Sequence, residues 1–209
     1  MNTIFSEFKK SPTVWRSAVA LWAAALAAAL LTGCVSVPRG EEAASYATET
    51  ADVPFHAQGR FSARYEDKAV VARFDWRHTP DTDEIKLTSP LGTTVAVLTR
   101  EGDTITVQQG DRPQHTQHLA DWEDLATQTF GFPLPITSLS YWLRGVPAPG
   151  AATVTRDAIG RFDNLRQQGW TVQYSYAAAA REPERVDIQY GETLGLRFRV
   201  DRFLLLEAN

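Results

Sequence analysis

Few side chains in this sequence have types and spacings that could do chemistry. The chain has 209 residues with four histidines and one cysteine, and it contains no GxSxG, HExxH, CxxC or P-loop pattern. His115 and His118 lie three residues apart, a spacing that puts them on opposite faces of a strand. The acidic residues Asp81, Asp83 and Glu84 fit a solvated hairpin loop better than a catalytic pair. We therefore predict that the chain is not an enzyme and needs no metal or cofactor.

The single cysteine, Cys34, is the remaining candidate for covalent chemistry. It ends the stretch LTGC and follows an uncharged, alanine- and leucine-rich run from residue 17 to 31. The basic residues before that run are Lys9, Lys10 and Arg16. This order is typical of a secretory signal peptide, because the apolar run is shorter than the roughly 20 residues of a membrane span. LTGC looks like a bacterial lipobox, whose cysteine thiol takes a diacylglyceryl group; an uncleaved membrane anchor is the alternative.

Cleavage before Cys34 would divide the chain into three parts. We predict a signal peptide at 1–33, a flexible tether at 34–53 made of small, polar and acidic residues, and one folded domain at 54–209. Val35 follows the cysteine where an aspartate would retain the protein in the inner membrane. The expected location is the periplasmic face of the outer membrane, with a lipid anchor at Cys34. The formal net charge of −4 argues against nucleic-acid binding.

Period-two alternation predicts that most of the domain is made of β-strands. In the stretch AVVARFDWRH, one face of a strand carries Val70, Ala72, Phe74 and Trp76. Later strands have apolar faces in the same way, and two such sets are Trp170, Val172, Tyr174 and Tyr176, and Leu194, Leu196, Phe198 and Val200. So many short antiparallel strands cannot remain a flat sheet, so we expect the sheet to curl or close.

Two short helices interrupt the strands. Asp121 is a suitable N-cap for a helix through about Phe130, and Pro135 opens a second helix that ends at Gly145. The helices could plug the concave face of a curled sheet. Aromatic stripes on strands form ordinary core more often than a ligand cavity, and periodicity alone favours the core.

The loop in TSPLGTTVAVL has an unusual residue at its tip. Pro90 and Gly92 are turn formers, but Leu91 between them is large and apolar. Leu91 could pack back onto the core. It could also be exposed to water. The protein would then lack the roughly 1.5–3 kcal/mol that burial of a leucine contributes, and only contact with a partner or a membrane would supply it. From the residues alone we favour the packed form.

Several stretches in order resemble the LolB family of outer-membrane lipoprotein receptors. The resemblance covers nearly the whole predicted domain, and it is carried by the lipobox together with the segments ARFDW at 72–76, LTSPLGTT at 87–94, FGFPLPITSLSYWLRGVP at 130–147, QQGWTVQY at 167–174 and PERVDI at 183–188. The resemblance implies an incompletely closed antiparallel β-barrel with a hydrophobic cavity covered by short helices. Candidates for contact with acyl chains in that cavity are Phe74, Trp76, Trp142 and Trp170.

The resemblance also implies a task. A periplasmic carrier, LolA, would hand over lipoprotein cargo, and this chain would take the acyl chains into its cavity and release them into outer-membrane lipid. The step would need no ATP, and the chain would act as a monomer. The loop Pro90-Leu91-Gly92 would insert the cargo, which reverses the preference above and makes Leu91 exposed. The alternative is an envelope lipid-binding or stress-sensing lipoprotein of related half-barrel fold.

Overall fold

A computed structural model describes residues 40–46, 52–110, 115–118 and 122–207. These residues form strands and two short helices. The strands are β1 (Glu42–Tyr46), β2 (Phe55–Tyr65), β3 (Lys68–His78), β4 (Thr82–Thr88), β5 (Thr94–Glu101), β6 (Thr104–Gln108), β7 (His115–His118), β8 (Gly150–Arg156), β9 (Phe162–Gln167), β10 (Trp170–Ser175), β11 (Arg185–Tyr190) and β12 (Leu194–Leu205). The helices are α1 (Trp122–Phe130) and α2 (Ile136–Trp142).

All strands belong to one antiparallel sheet. Its order is β1-β8-β9-β10-β11-β12-β2-β3-β4-β5-β6-β7, so that β12 and β2 join the two halves of the chain. In the described part of the chain, β1 and β7 are edges that do not pair with each other. One hydrophobic core includes residues from strands of both halves and from α2. The predicted fold, an antiparallel β-barrel that is not fully closed, is confirmed.

The sheet has an apolar inner face and a polar outer face. On β3, Ala72, Phe74 and Trp76 are buried, whereas Arg73 and Arg77 are exposed. Alternation of this kind sets the register, because a slip by one residue would turn every apolar side chain outward. Strand β2 and the first part of β12 follow the same rule, and the burial of these side chains supplies most of the driving force for folding.

A β-bulge in β12 changes which of its residues point outward. The register with β2 shifts between Val200 and Arg202, which brings Arg202 opposite Gln58 on the outer face. Gly59 of β2 lies beside this irregularity. A Cβ at Gly59 would be 2.0 Å from the carbonyl oxygen of Arg199, so no larger residue fits without moving the strand.

Helix α2 is fixed to the sheet at its C-terminal end. The indole Nε1 of Trp142 donates to Oε1 of Gln167 at 3.1 Å. The Gln167 side chain also accepts from the N–H of Ala148 and donates to the carbonyl of Ala148. Gln167 is buried, and these hydrogen bonds give both its amide oxygen and its amide nitrogen a partner in the interior. After α2 ends at Trp142, the chain turns away at Gly145, which has a φ of +74°.

The segment predicted to be a tether contains structure within its described part. Residues 42–46 form β1, which pairs with β8, and Asp52 is hydrogen-bonded to His78. The predicted domain boundaries remain a prediction. Among the described helices, neither is long and apolar enough to cross a bilayer.

Candidate functional site

An apolar cavity of about 40 Å³ lies between the concave face of the sheet and the helical segment. The side chains around it are Phe61, Phe74, Trp76, Ile85, Leu87, Leu98, Phe130, Leu134, Ile136, Leu139 and Phe198. Those from β2, β3, β4, β5 and β12 form its floor, and those from 130–139 form its cover. Among the residues that the structure describes, the lining has no polar side chain other than the indole of Trp76, so an apolar ligand would gain most from entering it.

The floor of the cavity is built by cross-strand pairs. Phe74 lies opposite Leu87, and Trp76 lies opposite Ile85, which lies opposite Leu98 on β5. Phe198 contributes from β12, with its ring centroid 5.6 Å from that of Phe74. The site prediction did not include Phe198, although the alternation on its strand places it on an apolar face.

The four aromatic candidates fall into two groups. Phe74 and Trp76 line the cavity. Trp142 and Trp170 are also buried, but they pack against each other with ring centroids 6.1 Å apart, and neither side chain lines the cavity. Their surroundings are those of packed core at the fixed end of α2.

The loop between β4 and β5 holds Leu91 away from the rest of the protein. The Leu91 side chain is 96% exposed. The N–H of Gly92 donates to the carbonyl of Ser89 at 2.9 Å, and the N–H of Ser89 donates to the carbonyl of Thr93 at 2.8 Å. Gly92 has a φ of +91°, and Pro90 restricts the preceding turn position. The loop is therefore short, and its backbone is ordered by its own hydrogen bonds. Little further conformational entropy is lost when Leu91 contacts a partner or a membrane.

A buried polar cluster lies beside the cavity. Asp83 is only 5% exposed, and its carboxylate accepts from Trp76 Nε1 at 2.8 Å and from Arg100 Nε at 2.6 Å. His78 lies between two carboxylates, with Nδ1 2.6 Å from Asp83 and Nε2 2.6 Å from Asp52. The prediction that Asp83 belongs to a solvated loop is wrong, because β4 begins at Thr82 and turns Asp83 inward.

The two carboxylates favour a charged His78. Burial alone would lower the pKa of His78, but hydrogen bonds to Asp52 and Asp83 and their negative charges outweigh it, so the pKa lies above its ordinary value of 6.5. Both ring nitrogens then donate protons. The hydrogen bond from His78 in turn holds the pKa of Asp52 below its usual range.

We expect the stability of the protein to fall as the pH rises through the neutral range. Because the pKa of His78 is higher in the folded state, its charged form stabilises the fold. This contribution is complete below the unfolded pKa of about 6.5 and is lost as the pH rises through the folded pKa. The His78→Gln variant should lose stability at low pH and show a flatter slope. Urea unfolding between pH 6 and 8 measures both slopes, and equal slopes in the two proteins would contradict the charged state of His78.

Comparisons with known proteins place the chain in a family. The family model for "Outer membrane lipoprotein LolB" matches residues 53–203. A protein of Chromobacterium violaceum called outer-membrane lipoprotein LolB is 43% identical over 142 residues, which cover 66% of this chain and 74% of that protein. A protein of the same description from Azoarcus is 32% identical over 190 residues, which cover 88% of this chain and 94% of that protein.

Among solved structures, a LolA superfamily protein from Nitrosomonas europaea matches with a TM-score of 0.45 and 9% identity, covering 78% of this chain and 90% of that one. The sequence matches carry the assignment without it. The family model's match includes the residues that line the cavity, the loop with Leu91 and both helices. The chain therefore belongs to the LolB family of outer-membrane lipoproteins.

Proposed function

We propose that the chain accepts lipoproteins from a periplasmic carrier of the LolA type and inserts them into the outer membrane. The observation that carries this proposal is an apolar cavity under a helical cover in a molecule that also exposes Leu91 to 96%. The cavity suits acyl chains and the loop suits a bilayer. Membership of a non-enzymatic family agrees with the prediction that no bond is made or broken in this step.

Acyl transfer by this route needs no external energy source. Each methylene group that moves from water into an apolar site gains about 0.8 kcal/mol, so the chains stay out of water throughout the exchange. The direction follows if the bilayer holds the chains more tightly than the cavity does. Several acyl chains in a bilayer anchor a lipoprotein stably, which makes the last step the most favourable.

The cover must move before an acyl chain can enter. A free volume of about 40 Å³ has room for only a few water molecules, and an acyl chain is many times larger. The side chains of Leu134, Ile136 and Leu139 close the cavity by apolar contact. The hydrogen bond from Trp142 to Gln167 holds the far end of α2, so we expect the segment 130–139 to swing away from that end.

The proposed anchor keeps this machinery beside its target. Cys34 lies outside the described residues, and its lipidation remains a proposal supported by the LTGC motif. A tether from Cys34 would allow the domain to face the carrier on the periplasmic side and then return to the membrane.

The experiment compares one cargo protein in two forms, with and without its acyl groups. Each cargo form is incubated with the carrier and then mixed with liposomes that hold the protein described here. Native mass spectrometry detects which protein the cargo is bound to, and flotation detects whether it has entered the liposomes. We expect the acylated cargo to move to the protein and then to the bilayer, and the cargo without acyl groups to bind neither. Equal binding of both forms would overturn the proposal and favour a protein-binding role.

A further inference from the structure

The outer face of the sheet carries a row of arginines in register. Arg185 on β11 is the partner of Arg199 on β12. Arg199 also faces Arg60 on β2, which in turn faces Arg73 on β3. All four side chains are exposed. Like charges directly opposite one another destabilise a sheet, and the chain as a whole is acidic with a net charge of −4, so neither folding nor composition accounts for the row.

Acidic neighbours neutralise only part of the row. Arg185 Nε is 2.9 Å from an oxygen of Asp187. A single carboxylate, that of Asp201, lies 3.1 Å from Arg60 and 3.9 Å from Arg199. In each of these pairs the arginine side chain is about half exposed. Water therefore screens the pair and leaves the arginine able to bind other anions.

The remaining cations line an open groove of about 660 Å³ on the same face. Arg73, Lys86 and Arg202 have no ion-pair partner within the described ranges. Asp75 also lies in this groove, but its two oxygens accept from Gln58 at 2.6 Å and contact His56 Nε2 at 2.8 Å. Four basic side chains (Arg60, Arg73, Lys86 and Arg202) and two carboxylates (Asp75 and Asp201) line the groove, so its described lining is positive on balance.

The row leads across the sheet to the loop that carries Leu91. Arg73 is the register partner of Thr88, and the loop begins at the next residue, Ser89. Val71, two residues from Arg73 and on the same outer face, is 59% exposed. Exposed cations and exposed apolar side chains thus adjoin, which is the combination that suits the interface of a bilayer, where phosphates lie above hydrocarbon.

We propose that this outer face lies against the outer membrane and binds the phosphates of its phospholipid head groups through Arg60, Arg73, Lys86, Arg185, Arg199 and Arg202. Clusters of four to eight basic residues bind anionic lipid surfaces, and the planar guanidinium suits phosphate by bidentate hydrogen bonding. The inference rests on the proposed function, since it says how the domain is oriented when Leu91 reaches the bilayer.

The test uses the lipidated protein in liposomes of phosphatidylethanolamine and phosphatidylglycerol, with a photo-cross-linking amino acid in place of Val71. We expect cross-links to lipid that fall at least tenfold in the double variant Arg73→Glu/Lys86→Glu and also at high salt. The milder Arg73→Gln/Lys86→Gln variant should show a smaller loss, and circular dichroism checks that each variant is folded.

The matched control is Arg166→Glu/Arg181→Glu, which changes the net charge equally at exposed positions outside the row. Its cross-linking should match that of the parent. Equal losses in both double variants, or cross-links to added carrier in place of lipid, would overturn the inference. Cargo transfer is measured in the same liposomes, so that failed transfer with charge-dependent cross-linking would count against the proposed function alone.

Discussion

Replacing Leu91 with glutamate should abolish most delivery of cargo into liposomes while leaving acceptance of cargo from the carrier intact. Leu91 is 96% exposed and lies outside the cavity, so the substitution costs the folded domain almost nothing. Insertion of leucine into a bilayer gains about 1.5–3 kcal/mol. Losing that gain, at tenfold per 1.4 kcal/mol, predicts delivery about 10- to 100-fold slower. Acceptance and delivery are followed separately with a fluorescent acylated cargo.

The fold supplies a matched control for Leu91. Ile159 is 70% exposed at a turn between β8 and β9, so Ile159→Glu makes a similar apolar-to-acidic change on another surface loop. Delivery by the Ile159 variant should equal that of the parent. Unchanged delivery by the Leu91 variant would remove the proposed role of the loop, and slowed acceptance would show that Leu91 acts earlier, at the carrier.

The architecture was predictable because it depends on local alternation that persists along the chain. The buried set Ala72, Phe74 and Trp76 follows directly from a period of two. Pro135 is the N-cap of the second helix as predicted, but that helix ends at Trp142, before the predicted end at Gly145. The bulge after Val200 was not predictable. It lies beside the close approach of Gly59 to the backbone of Arg199, and residues 140 positions apart share no local pattern that would predict it.

The lining of the cavity was predictable only in part. Alternation identifies which side chains point inward, and Phe74 and Trp76 belong to the cavity. Alternation cannot predict where the helices lie over the sheet. That position decides why Phe74 and Trp76 line the cavity whereas Trp142 and Trp170 do not. The exposure of Leu91 also depends on hydrogen bonds within the loop that residue types do not reveal, and only the family resemblance implied it.

Asp83 shows why buried charges are harder to predict than apolar faces. In the printed sequence it stands among turn-forming and acidic residues, which favours a solvated position. Its partners Arg100 and His78 come from neighbouring strands, and Asp52 reaches His78 from before β2. Complementary charges brought together by the sheet register make the burial tolerable, and no local pattern records that register.

The Asp83→Ala variant should lose about 3–5 kcal/mol of its free energy of unfolding, the cost of removing one partner from a buried ionic group. The change leaves His78 with one carboxylate and removes the ion-pair partner of Arg100 and the hydrogen-bond acceptor of Trp76. Domains are typically stable by only 5–15 kcal/mol, so this is a large share. Urea unfolding followed by tryptophan fluorescence measures the loss.

Asp75→Ala is the control for this prediction. Asp75 belongs to the adjacent strand and also bonds a histidine, but its side chain is 43% exposed, so its removal should cost no more than about 1 kcal/mol. Similar losses in the two variants would show that burial does not set the strength of the cluster around Asp83. A larger loss at Asp83 would support a further consequence: since Asp83 orients the indole of Trp76, which lines the cavity, its removal should also loosen the wall against which acyl chains pack.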